Sequence, residues 1–197
     1  MTTVAEIRTL CVYCVSSPRG NESHQEAAVS LGTIMANSGI RLVFGGGRVG
    51  LMGLVADSVL ASGGEVVGII PRFLDQVEVG HSEVTEFIVT ENMHDRKEKM
   101  AQMSDGFVIL PGGLGTLDET FEILTWKQLG LHDKPVIIVD VDGYWKPLVD
   151  MIDHMIAENY ARPENRDLFR VVAGVEDVLP ALEAMPAFTH EVEAKWM

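Results

Sequence analysis

The hydrophobic residues of this 197-residue chain form short apolar runs that alternate with longer amphipathic stretches. Short apolar runs are typical of buried strands, whereas apolar positions at helical spacing, as at Ala27, Leu31, Ile34 and Met35, predict a helix. The predicted strands cover residues 8–15, 40–44, 65–70, 86–90, 106–110, 135–139 and 169–172. The predicted helices cover residues 22–38, 54–62, 93–103, 117–129, 144–158 and 175–184.

The order of these elements predicts the fold class. Apolar strands separated by amphipathic helices are typical of a parallel sheet with helices on both faces. We therefore expect a doubly wound, mostly parallel, Rossmann-like α/β fold. No linker or repeat divides the chain, so we expect a single domain over residues 1–197, with a core at about residues 8–185 and a C-terminal tail over 186–197. Residues 72–84 show no clear period and are predicted to form a loop.

The composition narrows the classes of function. Hydrophobic residues make up 47% of the chain and charged residues 22%, as in ordinary globular proteins. The net charge of −14 argues against a nucleic-acid partner, although a local cluster of N–H groups and cations can still bind a small anion. No apolar run reaches the roughly 18 residues of a membrane span, and the N-terminus lacks a signal-peptide pattern. We therefore expect a cytoplasmic protein without a membrane partner.

The two cysteines, Cys11 and Cys14, form a C-x-x-C pair, a pattern found in redox and metal sites. Here the pair falls inside the first predicted strand, where residues three apart point to opposite faces. We therefore interpret both as buried structural thiols. No other cysteine or histidine cluster has metal-ligand spacing, so neither a metal nor a cofactor is expected.

Two glycine-rich segments directly follow predicted strands, at the edge of a parallel sheet where ligands bind. The first segment contains Gly45, Gly46, Gly47, Gly50 and Gly53. Its spacing matches neither the dinucleotide fingerprint nor the Walker loop, and the next strand has no acidic residue at its end to hold a ribose. Taken alone, this segment fits a tight strand–helix turn as well as it fits a binding loop.

The second segment places Gly112, Gly113 and Gly115 between a buried strand and a helix. Glycines at such a junction let a ligand approach the backbone closely, and the unpaired N–H groups of a helix N-terminus bind anions. Thr116 and Glu119 also fit a capping box, in which Glu119 only bonds back to the Thr116 N–H. Capping does not explain the three preceding glycines, so we favour a binding loop with a functional acid at Glu119.

Arg96 and Lys97 form the third candidate feature. On the predicted helix 93–103 they share a face with Met93 and Met100, which belongs on the core side. Half-buried cations need an anionic partner, and that partner is either a structural acid at the rim or a ligand. The second glycine segment belongs to the next strand–helix unit, so a guanidinium that faces a phosphate fits the pattern.

Together these motifs resemble those of the LOG (Lonely Guy) family. The resemblance runs from about Leu10 to Asn159 and rests on the first glycine segment, on Met93-His94 with Arg96-Lys97, and on Pro111-Gly112-Gly113 with Gly115-Thr116 and Glu119. Members of this family are cytokinin riboside 5′-monophosphate phosphoribohydrolases, long mislabelled as lysine decarboxylases. The chain length resembles that of the short, dimeric type, so the resemblance implies a homodimer.

The resemblance implies hydrolysis of the N-glycosidic bond of AMP-type, N6-modified nucleoside 5′-monophosphates to the free base and ribose 5-phosphate, and hence cytokinin activation. It implies a catalytic role for Arg96 and Glu119. The residues that it assigns to the substrate are Ser17, Gly46, Gly47, Glu78, Lys97, Gly112, Gly113, Leu114, Gly115, Thr116, Leu117, Asp118 and Thr125. The residue types agree, because a carboxylate can stabilise an oxocarbenium-like sugar and activate water, while Arg96 and loop N–H groups can hold the phosphate.

Two other classes of function compete with hydrolysis. A nucleotide-binding or carrier module on the same fold would keep the anion-binding loops but would not need Glu119. A lysine decarboxylase would need pyridoxal phosphate on a lysine, and no lysine is placed at the glycine segments, so we reject this class. The expected partner is therefore a small nucleotide.

Overall fold

The computed structural model describes residues 7–78 and 80–186, apart from the side chains of residues 76–78. In this part the strands are β1 Thr9–Tyr13, β2 Arg41–Phe44, β3 Val66–Pro71, β4 Glu86–Thr90, β5 Gly106–Ile109, β6 Val136–Val139 and β7 Arg170–Val172. The α-helices are α1 Glu22–Asn37, α2 Gly50–Ala61, α3 Arg72–Glu78, α4 Met93–Gln102, α5 Leu114–Gln128, α6 Lys146–Ala157 and α7 Val178–Ala184. Short 3-10 helices cover Val141–Gly143, Pro163–Leu168 and Val175–Asp177.

The strands form one parallel sheet in the order β4-β3-β2-β1-β5-β6-β7. The chain builds outward from β1 in one direction as far as β4, and then returns to add β5 on the other side of β1. In doubly wound folds the carboxyl ends of the two strands at such a switch point border the ligand crevice. The predicted parallel α/β fold is therefore confirmed, and β1 and β5 mark where a site is expected.

Two hydrophobic cores cover the two faces of the sheet, and β1 contributes to both. Leu10 and Val12 pack with α1, α2 and α7, whereas Cys11 and Tyr13 pack with α4, α5 and α6. Burial of each large apolar side chain stabilises the fold by about 1.5–3 kcal/mol. Cys14 lies in the core opposite Cys11, and both thiols are free and buried. The interpretation as structural thiols is therefore confirmed.

Several local predictions need correction. The predicted helix 54–62 begins four residues earlier, at Gly50. The predicted loop 72–84 contains α3, because a helix of seven residues makes only about two turns and shows no clear apolar period. The predicted helix 144–158 begins at Lys146, since Asp142 and Gly143 have positive φ angles of 54° and 74° and form a tight turn before it. The predicted helix 175–184 starts with a 3-10 turn before α7.

Residues 187–197 of the predicted tail lie outside the described part of the chain. Among the helices of residues 7–78 and 80–186, none is long and apolar enough to cross a membrane.

Candidate active site

The second glycine segment lies at the switch point between β1 and β5. The Leu110 N–H donates to the Tyr13 carbonyl at 2.9 Å, and the Val15 N–H donates to the Pro111 carbonyl at 3.3 Å. The parallel pairing of the two strands therefore continues into the loops that follow them. This pairing sets the position of the glycines relative to the first strand.

Helix α5 begins at Leu114 with Gly113 as its N-cap, three residues before the predicted start. The capping box considered for Thr116 and Glu119 does not form, because Thr116 lies inside the first helical turn. Gly113, Leu114 and Gly115 are exposed, and Leu114 keeps 86% of its surface in solvent. Since the first N–H groups of a helix have no acceptor within it, this turn presents donors to an anion.

Arg96 of α4 and Glu119 of α5 form a buried ion pair. The distance from Arg96 Nη1 to Glu119 Oε1 is 2.8 Å, and the two residues are 5% and 4% exposed. Arg96 Nε donates to the Ile69 carbonyl at 3.1 Å, and Nη2 donates to the Gly45 carbonyl at 3.5 Å. The guanidinium therefore connects the carboxyl ends of β2 and β3 to α5. Arg96 and Met100 are both buried, which confirms the predicted helix face.

Gly45, the first glycine of the first segment, is required by the approach of Arg96. A Cβ atom built on Gly45 would lie 2.1 Å from Arg96 Nη2. Any larger residue would therefore displace the guanidinium or the loop. This glycine therefore serves the site through packing.

Gly46 and Gly47, which the resemblance assigns to the substrate, are buried and bind the segment after α3. Gly47 forms an antiparallel bridge with Gly80, and the Gly46 carbonyl accepts from the His81 N–H at 2.9 Å. His81 is fully buried, and its Nε2 lies 2.8 Å from Oδ1 of Asp57 on α2. Because a carboxylate accepts only, Nε2 carries the proton. No sequence motif indicates this pair, which holds the first glycine segment in place.

The environment of Glu119 raises the pKa of its carboxyl group. Burial raises the pKa of Glu119, while the charge and the hydrogen bond of Arg96 oppose this rise without cancelling it. Asp118 raises the pKa further, and Lys97 lowers it. A carboxyl group whose pKa lies nearer to neutrality exchanges protons more readily at physiological pH. Glu119 therefore has the character of an acid–base group.

Lys97 is buried against carboxylates of α5. Its Nζ lies 3.0 Å from Asp118 Oδ2 and 3.0 Å from Glu122 Oε1. Burial lowers the pKa of Lys97, but hydrogen bonds and charge from Asp118 and Glu122 outweigh burial and leave this pKa raised. The sequence left open whether the anionic partner of Lys97 is a structural acid or a ligand, and the structure shows structural acids. Asp118 and Glu122 lie on a different face of α5 from Glu119.

The other substrate residues implied by the resemblance differ in their burial and in their contacts. Ser17 is half-buried in the loop after β1, where its Oγ accepts from the Arg19 N–H at 3.3 Å. Gly112 and Thr116 are packed together, since a Cβ on Gly112 would lie 2.0 Å from Thr116 Oγ1. Leu117 is half-buried and packs on the core beneath α5.

One of the implied residues, Thr125, is not brought to the Arg96–Glu119 pair, and the structure does not test another, Glu78. Thr125 is exposed and lies six residues beyond Glu119, which is about 9 Å along the helix and on another face. Glu78 is the last residue of α3, and its side chain lies outside the described part of the structure.

A cavity of about 370 Å³ opens between α4 and α5. Phe107 and Trp126 supply apolar walls, and His94, Glu122 and His132 supply polar groups. Glu122, which the sequence analysis did not single out, therefore contacts Lys97 on one side and this cavity on the other. The sequence could have indicated this role of Glu122, because a residue four positions after Asp118 lies on the same helix face.

The fold and the site together define a doubly wound α/β protein with an exposed helix N-terminus and a buried Arg–Glu pair at the switch point. A family model described as "Possible lysine decarboxylase" matches residues 52–182. A cytokinin riboside 5′-monophosphate phosphoribohydrolase of Arabidopsis thaliana is 42% identical over 191 residues, which cover 97% of this chain and 89% of that protein. One from Oryza sativa subsp. japonica is 42% identical over 193 residues, covering 98% and 79%. The chain belongs to the LOG family.

Solved structures share the fold at lower identity. The molybdenum cofactor binding protein of Rippkaea orientalis has a TM-score of 0.68 and 21% identity, and covers 91% of this chain and 98% of its own. The molybdenum cofactor carrier protein of Chlamydomonas reinhardtii has a TM-score of 0.68 and 23% identity, with the same two coverages. At this identity the likeness shows the fold alone, and it does not favour a carrier function.

Proposed function

We propose that this protein hydrolyses the N-glycosidic bond of AMP-type, N6-modified nucleoside 5′-monophosphates and releases the free base and ribose 5-phosphate. The observation that carries the proposal is the buried contact between Arg96 and Glu119 beside the N-terminus of α5. The names of the curated relatives support the same reaction, and with it a role in cytokinin activation.

Glu119 acts on the anomeric carbon in this proposal. As the C1′–N bond breaks, its electron pair leaves with the base and positive charge develops on the sugar. The Glu119 carboxylate stabilises that charge and accepts a proton from the water whose oxygen bonds to C1′. The released base takes up a proton from solvent, and Glu119 returns its proton to solvent, so the products are the neutral base and ribose 5-phosphate. The raised pKa of Glu119 makes it a stronger base than an ordinary carboxylate, so the transfer of a proton from water to Glu119 is less unfavourable.

Arg96 orients Glu119 and keeps it ionised. Three of its five N–H groups donate to Ile69, Gly45 and Glu119, and the other two have no acceptor among the described residues and are proposed to bind the substrate. The 5′-phosphate is therefore held chiefly by the first turn of α5, where the helix dipole and the N–H groups favour an anion. Binding energy from the phosphate then positions the ribose against Glu119.

The remaining substrate contacts are proposals of the same kind. The loop residues Gly112, Gly113, Leu114, Gly115 and Thr116 contact the nucleotide through their backbone. The further contacts would come from Ser17, Gly46, Gly47, Glu78, Lys97, Leu117, Asp118 and Thr125.

A homodimer is the proposed assembly. Leu129 and Leu131 at the end of α5 are 48% and 69% exposed, close to the cavity between α4 and α5. A second copy that covers this face would remove these apolar side chains from water. Sedimentation equilibrium should give twice the chain mass of 21.6 kDa, and a monomer would contradict the proposal. The cytoplasmic location stays a prediction.

A lysine decarboxylase does not fit the lysines of the site. Lys97 Nζ is bound by two carboxylates, and Lys134 Nζ donates to the Ala101 carbonyl at 2.8 Å. Lys127 is fully buried in the core face of α5. None of these amines is presented to a cofactor aldehyde at the glycine segments.

A product assay tests the proposed function. The purified protein is incubated with AMP, N6-prenyl-AMP and the other purine and pyrimidine monophosphates, and the products are separated by chromatography. Free base and ribose 5-phosphate in equal amounts are expected. A nucleotide that binds but stays intact over hours would instead support a carrier.

A further inference from the structure

Tyr144 contacts the second glycine segment from a neighbouring loop. Its Oη donates to the Gly112 carbonyl at 2.7 Å, across 32 residues of sequence. Tyr144 follows β6, whereas Gly112 follows β5, so the bond connects two loops at the carboxyl edge of the sheet. None of the chemistry assigned to Arg96 and Glu119 requires this hydrogen bond.

The bond to the Gly112 carbonyl determines where the Gly113 N–H points. The peptide unit between the two glycines is planar and trans, so the carbonyl of one and the N–H of the other point in opposite directions. Neither glycine has a side chain that would restrict rotation of this unit. Tyr144 therefore holds the Gly113 N–H on the side away from its own ring, at the N-cap of α5.

Contacts with neighbouring residues fix the position of the Tyr144 ring, which is 42% exposed. Its ring meets the ring of His24 edge-on at 5.2 Å between centroids and the ring of Trp145 at 4.9 Å. Asp142, in the tight turn before Tyr144, accepts a hydrogen bond from Ser23 Oγ at 2.6 Å. The loop after β6 is thus fastened to the start of α1, and the Tyr144 hydroxyl has a defined position from which to hold the glycine loop.

We propose that Tyr144 is a positioning residue that orients the Gly113 N–H toward the 5′-phosphate of the substrate. The proposal rests on the proposed function, because it assigns the phosphate to the first turn of α5. Tyr144 touches the loop and not the reacting atoms. A preorganised N–H binds the phosphate in the ground state and in the transition state alike, so its loss acts on substrate affinity more than on turnover.

The test compares Tyr144→Phe with Tyr160→Phe. The first substitution removes the hydroxyl and keeps the packed ring, and the second makes the same change at a tyrosine that is 89% exposed. Calorimetry measures the Kd of ribose 5-phosphate, and steady-state kinetics measure KM and kcat for AMP. In Tyr144→Phe we expect Kd and KM to rise about five- to tenfold, as for one lost hydrogen bond, and kcat to change less than about twofold. Tyr160→Phe should match the unmodified protein.

Each contrary outcome has a separate meaning. Equal Kd and KM values in the two variants, with or without a lower melting temperature of Tyr144→Phe, would overturn the positioning role. A lower kcat at unchanged KM would also overturn it. No binding of ribose 5-phosphate to the unmodified protein would remove the anion site on which the proposal depends. Binding without base release by the unmodified protein would refute the proposed hydrolysis instead.

Discussion

Arg96 and Glu119 lie 23 residues apart in the sequence, on two different helices, and meet at 2.8 Å in the interior of the protein. Removing either member would leave an uncompensated buried charge, a loss that typically costs about 3–5 kcal/mol. Glu119 lies on the same helix as the exposed first turn of α5, about one and a half turns after Leu114. In the proposed reaction α5 therefore supplies both the site for the phosphate and the carboxylate that acts on the sugar.

The pH dependence of activity should reveal the state of Glu119. Burial raises its pKa above the ordinary 4.5, and Arg96 opposes that rise. If the ionised form is required, activity falls as the pH drops through this raised pKa. We predict that the acid limb of the kcat/KM profile lies above pH 4.5 and moves to higher pH in Arg96→Gln. An acid limb that stays in place would show that Arg96 does not control Glu119.

Gly45→Ala should disturb the site indirectly, through the side chain of Arg96. The new Cβ would lie 2.1 Å from Arg96 Nη2, so the guanidinium or the loop must shift, and we expect this shift to disturb the contact between Arg96 and Glu119. We expect kcat/KM for AMP to fall at least about tenfold, the effect of a misplaced catalytic group. Gly20→Ala is the matched control, because a Cβ there meets nothing within 4 Å. Equal activities of the two variants would contradict the packing role of Gly45.

The sheet and the glycine segments were predictable because their signals are local. A buried strand such as β5 is apolar throughout, and the glycines follow it directly in the sequence. The helix face that carries Arg96 and Lys97 follows from a spacing of 3.6 residues per turn. These patterns were sufficient to indicate which residues gather at the carboxyl edge.

The partners of those residues were not predictable, because they depend on contacts between distant elements. Asp118 and Glu122 bind Lys97 only because α4 packs beside α5 in one register. The contact between Tyr144 and Gly112 requires the tight turn after β6, where Asp142 adopts a positive φ that no residue spacing indicates. The start of α5 was misplaced because Thr116 and Glu119 fit a cap motif that the structure does not use.

Lys127→Met should stabilise the protein. Lys127 Nζ is buried, and the described residues offer it no hydrogen-bond partner. Burial lowers the pKa of Lys127 from 10.5 to about 8. Below pH 8 the amine is charged in both the folded and the unfolded protein. Only the folded protein removes this charge from water, so the charge lowers the free energy of unfolding. Between these two pKa values the unfolded chain binds more protons, so stability rises with pH.

We expect Lys127→Met to raise the free energy of unfolding at pH 7 by on the order of 2 kcal/mol, with a gain that shrinks as the pH rises from 8 to 10. Urea unfolding at several pH values measures this difference. Lys99→Met, at an exposed position, is the control and should change little. A gain that is independent of pH would mean that better packing, and not the removed charge, stabilises the variant.

The most direct test of the account is base release by Glu119→Gln compared with the unmodified protein at saturating AMP. The amide keeps the shape of the side chain but can neither accept a proton nor carry the negative charge that stabilises the sugar cation. We predict that kcat falls at least about a hundredfold while the Kd of ribose 5-phosphate stays within about threefold. Unchanged base release in this variant would contradict the assignment of Glu119 as the catalytic acid–base group.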